Sequence, residues 1–217
     1  MKIKDPVLPG IIPEIPFYEV QEAFERDDDE IKQKTLSGQV ITGLKIAKRE
    51  FCQCRFINCK FAECSFDRVR FTDLIFRGCD MSNVSLTGSS FTRVEFENCK
   101  MTGTSFAESD ISHVKITGAQ GKLSNFTGAC FSTCVFQNSV FTESSFSAAT
   151  FNNIMMSACN FTLADFMHAK MKGLDFTACD ISGAYFFIED LKGVAVTFSQ
   201  AAELAKLLGL KIKEPQI

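Results

Sequence analysis

The sequence predicts an all-β solenoid with short helical caps at its ends, and three observations carry that expectation. Stepping by five from Leu36 to Val196 touches 33 positions, and 32 of them hold a large apolar residue in a chain that is 46% apolar overall. Nineteen of the 23 Phe lie on this ruler. Ten of the 13 Gly fall two residues after a ruler position, and eight of the ten Cys fall two residues before one. A period of five matches neither the 3.6 of a helix nor the 2 of a flat strand. It requires a corner every five residues, with Gly and polar residues at the bends. The ruler residue and the residue two before it then share the inward side of a short extended segment. Such coils bury their apolar side only by stacking on one another.

The elements follow in order. Residues 1–16 hold four of the five Pro, which favours an extended arm over a helix. Residues 17–34 read as a short helix with Phe17, Val20 and Phe24 on one side, and its ERDDDE run reads as a solvated face. Residues 1–35 are therefore expected to cap the first coil, and residues 36–196 to form the solenoid. At Gly121 the ruler lacks a side chain, so an irregular coil is expected there, with Leu123 swinging inward. After Val196 the period stops. TFSQAAELAKLLGLKIKE reads as a helix with Ser199 as N-cap and Gly209 just past its end, followed by a short strand, LKIK.

The segments CDISG (179–183), ADFMH (164–168), CNFTL (159–163) and NFTGA (125–129) repeat one five-residue theme. In this the chain resembles the pentapeptide-repeat proteins over about residues 36–196. The resemblance implies a right-handed quadrilateral β-helix with four pentapeptides per coil, and hence about eight coils.

Cys52, Cys54, Cys59 and Cys64 fall close together, but their register argues against a metal knuckle. Cys54, Cys59 and Cys64 lie in the small inward column on three different walls, so their thiols need not converge as tetrahedral zinc demands. His113 and His168 sit at outward positions on different corners. The cysteines are expected to be buried free thiols, which suits a reducing cytosol. Cys52 and Cys130 lie off the column, and Cys52 is expected to be the exposed, more reactive thiol. No metal, cofactor or catalytic constellation is expected.

The run from Gln200 and Ala201 through Leu204, Leu207, Leu208, Gly209 and Ile212 resembles the C-terminus of the quinolone-resistance (Qnr-type) gyrase-protecting members of the family. That resemblance implies a two-fold homodimer, here through Leu204, Leu207, Leu208, Leu210 and Ile212 in residues 197–217. It also implies a rod that imitates duplex DNA and protects a type II topoisomerase, bacterial DNA gyrase or topoisomerase IV. The charge pattern gives modest support. Residues 36–196 carry 15 acidic and 15 basic side chains, but acid gathers late, at Asp165, Asp175, Asp180, Glu189 and Asp190. A general interaction scaffold with an unrelated target stays open. Direct nucleic-acid binding is disfavoured by the lack of a basic stripe. No membrane span is expected, since no apolar run approaches the required length, and the expected location is the cytoplasm.

Overall fold

The computed structural model describes residues 2–25 and 29–213. It is a right-handed parallel β-helix of about eight coils. Helix α1 (Phe17–Glu25) precedes the first coil. That coil carries β1 (Glu30–Lys32), β2 (Thr35–Ser37), β3 (Val40–Thr42) and β4 (Lys45–Ala47). The second carries β5 (Glu50–Cys52), β6 (Arg55–Ile57), β7 (Lys60–Ala62) and β8 (Ser65–Asp67). Each pairs in parallel with its counterpart twenty residues on, as in Ile31 with Phe51 and Leu36 with Phe56. A twenty-residue coil with an inward residue every five has four walls.

From the third coil onward two walls merge into one strand per coil: β9 (Arg70–Arg77), β10 (Ser90–Glu97), β11 (Asp110–Thr117), β12 (Cys130–Gln137) and β13 (Thr150–Ser157). The other two walls become turns, closed by bonds such as Val84 N–H to Met81 O at 3.1 Å. The two-residue strands β14 (Cys159–Asn160) and β15 (Cys179–Asp180) pair near the end of the rod.

The five-residue ruler is the core, and it begins one step before Leu36, at buried Ile31. Each buried ruler side chain contributes about 1.5–3 kcal/mol. On one wall Phe106, Phe126, Phe146 and Phe166 stack with centroids 4.9, 4.8 and 5.0 Å apart and rings within 8° of parallel. That separation is the strand spacing, so the backbone ladder itself sets the ring stack. The corners explain the glycines. Residues two after the ruler take positive φ from Gln33 to Gly173, as at Gly103 (φ 66), and non-glycine residues such as Asn83 (φ 59) accept the same bend.

Gly121 corrects two expectations. Its coil is regular, with Gly121 N–H donating to Val140 O at 2.7 Å in the normal register. Leu123 remains 53% exposed. The gap is filled by the next coil: a Cβ on Gly121 would meet two ring carbons of Phe141 at 2.7 Å. The Gly121 carbonyl also accepts hydrogen bonds from the hydroxyls of Ser124 (2.6 Å) and Ser144 (2.7 Å). Restoring the ruler by Gly121→Leu is therefore expected to destabilise the rod, by about 1–3 kcal/mol through overpacking. A chemical-denaturation midpoint that rises in this variant would show that the space is open.

Both ends are covered. Val20 and Ala23 of α1 are buried in the same core cluster as Ile31 and Leu36. The side chain of Phe24 and residues 26–28 of the acidic run lie outside the described residues. At the other end, α2 (Phe198–Ala205) begins with a reciprocal cap. Thr197, not Ser199, is its N-cap: Gln200 N–H donates to Thr197 Oγ1 at 3.2 Å, and Thr197 N–H donates to Gln200 Oε1 at 2.8 Å. A tight 3-10 turn (Lys206–Leu208) ends at Gly209 with φ 76. Residues 210–213, expected as a strand, pair with no strand among the described residues. Residues 214–217 lie outside the described residues.

Candidate protein-interaction surface

The inward column two residues before the ruler carries most of the thiols, and six of them serve the coil-to-coil bonding. Cys54, Cys59, Cys64, Cys79, Cys99 and Cys134 each donate S–H to the carbonyl of a ruler residue of the previous coil, at 3.2–3.4 Å. Ser89, Thr104 and Ser109 make the equivalent bond at 2.6, 2.7 and 3.0 Å. A small donor there occupies a second lone pair of a buried carbonyl. Burial pushes the Cys54 and Cys134 thiols up to about 11, so they are protonated and unreactive. Cys52 corrects the reading of the off-column thiols. It is half-buried, and burial together with Glu30 raises its pKa. Cys130 is the exposed one. Among the described residues one group, Glu30, Glu50 and Cys52, brings three potential ligand atoms within 4.8 Å of one another. Glu50 there already accepts from Arg70 at 2.8 Å.

The charges sort by partner in a way that the net balance hides. Along the rod, acids pair with bases one coil away: Arg70–Glu50 (2.8 Å), Arg93–Asp73 (2.6 Å), Arg77–Glu97 (2.6 Å), Lys115–Glu95 (3.0 Å) and Lys122–Glu143 (2.8 Å). Asp165, Asp175, Asp180, Glu189 and Asp190 stand outside this pattern, with no ion pair among the described residues. They do not share one face. Asp175, Asp180 and Asp165 belong to the walls of Phe176, Ile181 and Phe166, while Glu189 and Asp190 lie in the 3-10 turn Ile188–Leu191. Together they form a collar around the last coils.

Four of these carboxylates are held in place by backbone donors. Asp165 accepts from Met167 N–H, Asp175 from Thr177 N–H and Asp190 from His168 N–H, each at 2.8 Å, and Asp180 from Ser182 N–H at 2.9 Å. Hydrogen bonds from the Thr177 and Ser182 hydroxyls and N–H groups hold Asp175 and Asp180 below the usual carboxylate range. The ring of His168 lies on Phe187, with centroids 4.4 Å apart.

Inside the collar the rod ends in apolar surface. Leu204 packs against the core, while Leu207, Leu208, Leu210 and Ile212 are 48–64% exposed, and Phe198 is 92% exposed. An open groove of about 630 Å³ between the last coil and α2 is lined by Cys179, Ile181, Tyr185, Gln200, Leu204 and Leu207, among others.

A further feature is not visible in the five-residue period. The N-terminal arm runs along one corner of the rod. Lys4 N–H donates to His113 Nδ1 (3.3 Å), Asp5 pairs with Lys115, and Val7 N–H donates to Asp73 (2.8 Å). Gln53 Nε2 donates to Val7 O (3.0 Å), and Ile15 N–H donates to Thr35 O (2.9 Å). The signal lies in steps of twenty. This corner reads Gln33, Gln53, Asp73, Arg93, His113, an unbroken row of hydrogen-bonding side chains, whereas each of the other corners is interrupted by Gly. Burial works to raise the Asp73 carboxyl, but the Arg93 hydrogen bond and the Val7 N–H outweigh it and hold it low.

A four-walled solenoid with a ring-filled core and a patterned outer surface defines a repeat protein. The chain belongs to the pentapeptide-repeat family. The profile described as a pentapeptide repeat region matches residues 49–126, and that of eight-copy pentapeptide repeats matches 123–157 and 144–183. Among solved structures, full-length QnrB1, a plasmid-mediated fluoroquinolone resistance protein, is 21% identical, with 84% of this chain and 95% of that chain covered and a TM-score of 0.48. HetL from the cyanobacterium Nostoc, involved in heterocyst differentiation regulation, is 14% identical, with 82% and 93% covered and a TM-score of 0.49. No curated protein matches the chain. Among the described residues no helix is long and apolar enough to cross a membrane.

Proposed function

We propose that this chain is a binding protein, not an enzyme, that works in the cytoplasm. Its C-terminal end would engage a type II topoisomerase, bacterial DNA gyrase or topoisomerase IV, in place of duplex DNA. The observation that carries this reading is the collar of carboxylates without ion pairs around an exposed apolar end. Elsewhere on the rod six acids pair with bases one coil away, while Glu63, Asp67, Glu108 and Asp110 also form no ion pair among the described residues. A two-fold dimer through the apolar end would double the collar about its centre. The resemblance of the Gln200–Ile212 run to the gyrase-protecting members supports the same arrangement. Distribution of the collar over several walls favours a second reading, a general scaffold that grips a partner around its end.

The test is equilibrium binding to purified gyrase with Asp175→Asn, Asp180→Asn and Glu189→Gln combined. Asn keeps an oxygen to accept the Thr177 and Ser182 N–H bonds, so the turns hold while the charge goes. An exposed charge contributes about 0.2–1 kcal/mol, so a several-fold loss of affinity is expected. The same loss is expected on raising salt, since exposed charges are screened within about 8 Å at about 0.15 M. No binding by the parent chain, and no change in supercoiling with a quinolone present, overturns the topoisomerase reading and leaves the scaffold.

A further inference from the structure

Stepping by twenty along the wall that contains Gly121, the inward small column reads Cys59, Cys79, Cys99, Ala119, Ser139, Cys159, Cys179. Thiols therefore stack directly above one another in two groups. Cys59, Cys79 and Cys99 are buried within the rod, and Cys59 and Cys99 are each only 1% exposed. Cys159 and Cys179 differ. They are direct partners across the parallel pair β14–β15, and Cys179 is half-buried and lines the groove under α2.

We propose that Cys159 and Cys179 form a peroxide-reactive pair that closes to a disulfide. Neighbouring strands stand about 4.8 Å apart, inside the Cα separation of about 4.4–6.8 Å that a disulfide spans. Its Cβ atoms must approach to about 3.8 Å, closer than a regular ladder holds them. Cys79 has a coil on either side and cannot make that movement without breaking a ladder. Cys179 belongs to the last coil on its wall, with only the short helix α2 beyond it, so its segment can close toward Cys159. The buried Cys159 thiol donates to Ser157 O at 3.4 Å, whereas Cys179 is the thiol that reaches the groove and meets an oxidant first. This makes Cys179 the attacking sulfur.

In the reaction the Cys179 thiolate attacks one peroxide oxygen. The O–O bond breaks, and the other oxygen leaves as hydroxide or alkoxide and takes a proton. The resulting sulfenic acid is attacked by the Cys159 sulfur. The new S–S bond displaces hydroxide, which leaves as water with the proton from Cys159. Two thiols are oxidised by two electrons, and one peroxide is reduced. Gln200 Nε2 donates to the carbonyl of Cys179 at 2.8 Å and to that of Phe176 at 3.1 Å, so the pair sits beneath the seat of α2.

The experiment treats the reduced full-length chain with hydrogen peroxide and maps its cysteines by mass spectrometry. The expected product has lost two hydrogens and joins the peptides of Cys159 and Cys179, with the other column cysteines still reduced. Cys159→Ala, a residue the same column already holds at Ala119, is expected to leave Cys179 as a trappable sulfenic acid. Cys179 remaining reduced while exposed Cys130 oxidises, or a disulfide that joins any other pair, overturns the proposal. The mapping of the unmodified chain decides the matter even if the variant folds poorly.

Discussion

Phe146→Ala is expected to cost about 3–5 kcal/mol, the range for removing a buried ring from a packed core. Phe146 is only 1% exposed and stacks between Phe126 at 4.8 Å and Phe166 at 5.0 Å. It also meets Phe141 edge-on at 6.0 Å and Phe161 at 5.7 Å. Each of those rings is held by its own coil, and the coils are held by backbone bonds above and below. The cavity can therefore not collapse, which places the cost at the upper part of the range. Chemical denaturation should show a lower midpoint with an unchanged slope. A loss below about 1 kcal/mol would mean that the coils slide to fill the space, contrary to a ladder-fixed stack.

The second large effect concerns assembly. On the dimer proposal, Leu207→Glu combined with Leu208→Glu is expected to convert the dimer wholly to monomer. The two side chains are 48% and 64% exposed, so their replacement leaves the folded monomer within about 0.5 kcal/mol of its original stability. In a symmetric interface the same leucines meet their own copies, and four carboxylates are buried together where four leucines were. Analytical ultracentrifugation of the parent and the variant measures this directly. A parent chain that sediments as a monomer removes the dimer and, with it, the doubled acidic collar. Leu204 would be a poor choice for this test, because it packs against the core and helps to close the rod.

The fold was legible in the sequence because it depends on one strict local rule repeated along the chain. A ruler residue such as Phe96 and the small residue Val94 two before it must both point inward, and that requirement is met within five residues. Stepping by five finds it. What twenty-residue steps control was read less well. The ion pairs Arg93–Asp73 and Lys115–Glu95, the Cys159–Cys179 pair and the corner row beneath the arm are all contacts between neighbouring coils. They were present in the sequence at a spacing of one full coil. The collar residues were each visible as late acids, but their lack of cationic partners was not, since that depends on which side chains lie one coil away.

The sequence by itself determined the solenoid, its inward columns and a corner every five residues, because these follow from chain periodicity and burial. Only the tertiary structure decided how the exceptions resolve. Gly121 is filled from the next coil by Phe141 because the ring above can lean into a space that Leu123, held at a corner with φ 60, cannot reach. Cys52 is half-buried beside Glu30, and Thr197 takes the cap because Gln200, and no residue paired with Ser199, completes the reciprocal bond. The arm of residues 4–16 binds a corner whose nearest point in sequence lies more than a dozen residues away. For Gly121, Cys52 and the arm the deciding partner sits in another coil, at a distance that local pattern does not measure, whereas the Thr197–Gln200 cap is local.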